Sequence, residues 1–198
     1  MTSTVAILAF DGMEVLDYAG PYEVFNVAGE LSGGLFSVMS VGVTAKPVGR
    51  GGFAVLPSCV LEEAPSFDIL VVPGGQGTRV LLQDRRLLEW IQSNADQADL
   101  VISVCTGALI LGAAGLLAGL PATTHHDAYL ELAAVSPTTV LQPGPRFVRS
   151  SERVRTSAGV SAGIDLSLEV IEELAGEPLR QQVADEMEWM WVLDGRNR

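Results

Sequence analysis

Short apolar runs alternate with segments of helical period from one end of the chain to the other. Thr4–Phe10, Phe36–Val43, Ile69–Val72 and Leu100–Val104 read as strands, with Ala122–Thr124 as a short fifth. Two of these are nearly pure Val, Ile and Leu, and strands apolar on both faces belong in the middle of a parallel sheet covered on each side. Helical spacing predicts helices over Tyr18–Glu30, Leu82–Asn94, Thr106–Leu117, Ala128–Ala134, Gly163–Ala175 and Leu179–Trp191. Such alternation implies right-handed crossovers and an α/β sandwich with a mostly parallel central sheet. Gly49–Cys59 and Phe147–Ser157 look different and read as short antiparallel ribbons outside the main sheet. Pro143-Gly144-Pro145 is the strongest breaker, but too little chain follows it for a second core. One domain over residues 1–198 is therefore expected.

Composition narrows the class. A chain of 198 residues buries a full core, and 48% hydrophobic against 18% charged residues is globular rather than disordered. No charge-free apolar run reaches the ~20 residues that span a bilayer. The N-terminus has no basic region and its apolar run ends at Asp11-Gly12, so no signal peptide and a cytoplasmic location are expected. A net charge of -12 argues against a nucleic-acid partner. Cys59 and Cys105 are not expected to form a disulfide in that compartment. With His125 and His126 they are too few, and wrongly spaced, for a structural zinc site, so no metal or other cofactor is expected.

Four turns carry candidate chemistry. Cys105 follows a buried strand and opens a helix at Ser103-Val104-Cys105-Thr106-Gly107. A helix N-terminus favours an anion there, which predicts a lowered thiol pKa and a nucleophilic thiolate. The competing reading is a small buried hydrophobe. Gly74 and Gly75, after Ile69–Val72, can turn backbone N–H groups toward a pocket, and the absence of a lysine and of P-loop spacing excludes a phosphate cradle. Asp17 reads either as a helix N-cap or as an acid/base beside Cys105, with Glu14 and Glu23 as alternatives. In Thr123-Thr124-His125-His126-Asp127 a histidine can serve as base with Asp127 orienting it, or the segment is a solvated turn. Gly159-Val160-Ser161-Ala162-Gly163 fits a nucleophile-elbow pattern. The preceding Arg153–Thr156 reads as too polar for a buried strand, which leaves Ser161 as helix entry and the two glycines for close packing.

In combination, VVPGG (71–75), SVCTGALILGAAGLLAG (103–119), ATTHH (122–126) and TSAGVSAGID (156–165) resemble the ThiJ/PfpI superfamily over essentially the whole chain. The resemblance implies a flavodoxin-like three-layer sandwich, with helices on both faces of the sheet, and a homodimer. The opening DGMEVLDYAGPYEVF and Cys105-Thr106-Gly107 are most similar to the isonitrile hydratases and to the ligand-binding halves of AraC-type regulators. Many superfamily members carry a Glu where this chain offers Asp17. For this chain the pattern implies Cys105 as nucleophile, Asp17 as its acid/base, Thr106 as a required neighbour, and the N–H groups of Gly75 and Thr106 as donors to a charged intermediate. Gly74, His125 and His126 are candidate pocket residues, and His126 stands where related hydratases usually have Trp. A glyoxalase or amidase, or a non-enzymatic ligand- or oxidation-sensing module, are the rival expectations for the same small-molecule site.

Overall fold

The computed structural model describes residues 2–190. Seven strands form one sheet in the order β3-β2-β1-β4-β5-β9-β8. These are β1 Ser3–Ala9, β2 Phe36–Gly42, β3 Cys59–Val60, β4 Ile69–Val72, β5 Leu100–Val104, β8 Phe147–Arg149 and β9 Val154–Ser157. All neighbours are parallel except β8 and β9. A separate parallel pair joins β6, Pro121–Ala122, to β7, Val140–Leu141. Both β4 and β5 are buried along their full length, as their unbroken apolar runs require.

Helices cover both faces. On one, α1 (Val15–Leu31), α6 (Ala162–Ala175) and α7 (Glu177–Glu186) pack together. On the other, α4 (Gly107–Ala113) lies against α2 (Thr78–Leu81), α3 (Arg85–Ala95) and α5 (Tyr129–Val135). Gly107 lets α4 begin directly over the sheet, because a Cβ there would stand 2.1 Å from the Val72 carbonyl oxygen. Gly163 does the same for α6, where a Cβ would meet Val104 at 2.8 Å. The architecture is the expected three-layer sandwich.

Several local expectations are corrected. Gly49–Cys59 is only in part an antiparallel ribbon outside the sheet, held by a single bridge between Val48 and Ala54. It is mostly loop with a 3-10 turn at Arg50–Gly52, and Cys59 joins the sheet edge in parallel to β2. Phe147–Ser157 is an antiparallel ribbon, but it lies inside the main sheet, where β9 pairs with β5. Strand β9 is fully buried despite its polarity. Arg155 is tolerated there because its guanidinium reaches the Glu173 carboxylate at 3.2 Å. The predicted strand Ala122–Thr124 shifts to Pro121–Ala122, since Thr123 and Thr124 direct their hydrogen bonds elsewhere. The last helix ends at Glu186, and Glu188 turns back with φ +48°. Met187 and Trp189 pack on the protein's own core, while Trp191 lies outside the described residues.

Replacing Gly107 by Ala should lower unfolding stability by about 1–3 kcal/mol or more, since strand and helix must separate to admit the methyl. Urea titration of the variant against the unmodified chain measures the loss.

Candidate active site

Strands β1, β4, β5 and β9 are consecutive in the sheet, so the turns at their carboxyl ends converge. Hydrogen bonds between main chains tie these turns together. Glu14 N–H donates to the Gly74 carbonyl at 2.9 Å, and Gly77 N–H to that of Gly12 at 3.1 Å. Cys105 N–H lies between the carbonyls of Ser157 and Ala158, at 3.2 and 3.0 Å. The Cys105 carbonyl accepts the hydroxyl of buried Thr124 at 2.8 Å. Both peptide groups of the cysteine are thus held from neighbouring segments. They hold it at φ +56°, a left-handed conformation that costs a non-glycine residue about 1–3 kcal/mol.

Asp17 is the third residue of α1 and fully buried. The N-cap position belongs to Glu14, so the capping reading of Asp17 fails. Its Oδ2 accepts the Gly74 N–H at 3.0 Å, and the carboxyl also meets the Cys105 thiol and the Val160 N–H. Oδ1 has no hydrogen-bond partner of regular geometry among the described residues. Burial, opposed by those donors and reinforced by the nearby Glu14 charge, raises the Asp17 pKa to about 7. Gly74 is required here, because a Cβ would stand 2.8 Å from Asp17 Oδ2 and 2.5 Å from Thr106 N.

The thiol behaves differently from expectation. Burial, then the Asp17 charge, pushes Cys105 up to about 12, although the N–H groups of Thr106 and Val160 pull it down. The predicted low-pKa thiolate is corrected accordingly: Cys105 is only 6% exposed, and desolvation outweighs the helix end. The pair therefore keeps one proton over a wide range above pH 7.

Thr106 is a lock as well as a neighbour. Its Oγ1 accepts Gly75 N–H at 2.9 Å and donates to the Gly75 carbonyl at 3.1 Å. The Gly75 N–H expected to face an intermediate is therefore engaged by Thr106. A donor that sequence reasoning passed over takes a place at the thiol instead. Val160, at φ +50°, turns its N–H toward both Cys105 and Asp17. Its signal lay in the Gly159–Gly163 pattern, which marks a true strand-to-helix elbow with Val160 at the strained position and Ser161 at helix entry. Arg146 fixes that elbow: its carbonyl accepts Ala158 N–H at 2.8 Å, and its guanidinium holds Ser161 Oγ at 3.2 Å and pairs with Asp165.

Cys105 and Thr106 open onto a cavity of about 400 Å³. His125 and Asp127 line it together with Glu14, Arg50, Gln76 and Arg79. His126, highly exposed, does not, and Gly74 lies beneath the wall. Glu23 is not among the lining residues either. The two arginines are paired, Arg50 with Glu14 at 2.7 Å and Arg79 with Glu131 at 2.6 Å. Neither arginine stands out in the sequence, because no motif surrounds it.

The DJ-1/PfpI family pattern matches residues 3–173. The chain belongs to the DJ-1/PfpI family. It is 36% identical to isonitrile hydratase of Pseudomonas putida over 193 residues, covering 96% of this chain and 79% of that protein. A solved ThiJ/PfpI family protein from Pseudomonas syringae superposes with a TM-score of 0.87 at 29% identity, covering 97% of this chain and 77% of the other. A helix-turn-helix transcriptional regulator of Pseudomonas aeruginosa, GbdR, is 24% identical over 92% of this chain, which spans 49% of that protein.

The raised Asp17 pKa has a stability consequence. Between about pH 4 and 7 the folded protein holds a proton on Asp17 that the unfolded chain releases, so this group's contribution to stability falls as pH rises through that window. Asp17→Asn should unfold at the same urea concentration as the unmodified chain near pH 4. At pH 8 it should be more stable by a few kcal/mol, on the order of ~4 at most. Urea melts of both at the two pH values check the sign.

Proposed function

We propose that this chain is an enzyme that hydrates an isonitrile, R–N≡C, to the N-substituted formamide, a lyase reaction with Cys105 as nucleophile. The observation that carries the reading is the buried Asp17 carboxyl facing the Cys105 thiol, the pair still holding one proton above about pH 7. Asp17 takes the thiol proton as sulfur bonds to the terminal carbon of the isonitrile. It then delivers that proton to the same carbon, which gives the thioimidate R–N=CH–S. Water adds to this carbon while Asp17 accepts one of its protons and passes it to nitrogen. The tetrahedral adduct expels the thiolate as R–NH–CHO, and the hydroxyl proton returns to the Asp17–Cys105 pair. Negative charge on sulfur is met by the N–H groups of Thr106 and Val160. Thr106 keeps the Gly75 turn in place beneath the substrate. The net change is addition of water without oxidation or reduction, so no cofactor is called for.

The rest of the reading is a cytoplasmic homodimer acting on a small molecule, with no nucleic-acid partner. No helix among the described residues is long and apolar enough to cross a membrane. Leu56, Val80 and Leu130 are highly exposed apolar side chains of the kind that association covers. The oxidation-sensor alternative draws no support from a thiol that is buried and raised in pKa.

Purified protein incubated with cyclohexyl isocyanide should release the formamide. Cys105→Ala should release none, and Asp17→Asn should lose about 10²–10⁴-fold in kcat/KM. With the unmodified chain, kcat/KM should rise through about pH 7, as the pair gives up its first proton and Asp17 becomes a base. Formamide release by Cys105→Ala, or Cys105-dependent lactate from methylglyoxal in place of formamide, would overturn the assignment. Sedimentation velocity should give twice the chain mass.

A further inference from the structure

His125-His126-Asp127 is the sequence motif that this reaction leaves unused. We propose that these three side chains bind one divalent ion of the zinc class at the rim of the Cys105 cavity. One donor atom from each lies within 4.8 Å of the others. His126 Nε2 is 3.3 Å from Asp127 Oδ1, and His125 Nδ1 is 3.9 Å from Asp127 Oδ2. Bonds of about 2.0–2.2 Å at tetrahedral angles put neighbouring ligand atoms about 3.3–3.5 Å apart, so small side-chain rotations complete the set. The hydrogen bond that His125 Nδ1 accepts from Asp127 N–H is long, at 3.3 Å, and is exchanged for the metal bond.

The local structure holds the His125 ring in place, while His126 and Asp127 are exposed. The His125 ring backs onto Gly159, where a Cβ would come within 2.5 Å of its Cδ2. The two imidazoles lie 4.1 Å apart, tilted by 33°. Two imidazoles and a carboxylate suit Zn²⁺, Cu²⁺ and Ni²⁺ rather than Mg²⁺ or Ca²⁺. The cavity's two arginines do not oppose a cation strongly, because each is paired with a glutamate. Three protein ligands leave a fourth position open, as in zinc sites that exchange a ligand and unlike closed structural ones.

His125 and Asp127 line the cavity that holds Cys105, so an ion bound between them narrows its mouth. Zinc is then a brake on the Cys105 chemistry. The brake rests on the reaction proposed above, whereas the binding does not.

Calorimetric titration of the full chain with zinc chloride, in a buffer that does not bind metal, tests the site. One ion per chain is expected. His126→Ala and Asp127→Asn should each weaken binding at least about tenfold, a loss that even outer-shell partners of metal sites produce. Cys105→Ala should bind as the unmodified chain does. Absence of binding, unchanged binding in both rim variants, or its loss in Cys105→Ala would overturn the site. In a second arm, zinc should slow formamide release by the unmodified chain and not by His126→Ala, each compared with its own zinc-free rate. Equal slowing of the two would overturn the brake. If no isonitrile is hydrated at all, the reaction fails while the calorimetry still decides the site.

Discussion

A carboxyl group without access to water faces a thiol that is almost as deeply buried, and the rest of the site is arranged around that contact. Burial penalises each group's charged form, and proximity penalises charging both. The pair consequently retains one proton above about pH 7, on the thiol, with the carboxylate beside it. In the proposed reaction, nucleophile and proton carrier arise from the same contact. The proposed chemistry then needs little besides N–H groups that meet the sulfur when charge develops there.

Those N–H groups are available because the sheet places four chain reversals side by side. Neighbouring reversals are tied together, Glu14 to Gly74 and Cys105 to Ser157 and Ala158 through the main chain, and Gly75 to Thr106 through the Thr106 hydroxyl. Two of them carry a non-glycine residue in a left-handed conformation, Cys105 and Val160. Strain of this kind persists only where surrounding bonds over-determine it. Here the Thr124 hydroxyl and the Arg146–Asp165 ion pair contribute those bonds from outside the reacting groups.

Much of this was legible in the sequence where burial and turn chemistry agree. The central strands β4 and β5 are apolar on both faces and fall where hydrophobic runs predict. Cys105, Asp17, Thr106 and the glycine turn at 74–75 are all brought to one place. What escaped reading depends on partners remote in sequence. Strand β9 looks exposed because Arg155 is charged, and only Glu173 explains its burial. Helix position is local information and predicts an acidic thiol, whereas the desolvation that overrides it comes from the whole fold. Val160 acts through its backbone N–H, which leaves no trace in the identity of its side chain. Arg50 and Arg79 reach the cavity from loops and short helices with no motif around them.

The reacting groups and the cavity rim are anchored in different ways. Cys105 is fixed at both of its peptide groups by neighbouring segments, and Asp17 is itself buried in the first turn of a long helix. Arg50, Gln76, Arg79, His125 and Asp127 line the opening. Exchanging one of the latter changes what the opening admits without disturbing a backbone bond of the reacting pair. Under the proposed function, selectivity can therefore drift one residue at a time while the chemistry stays put.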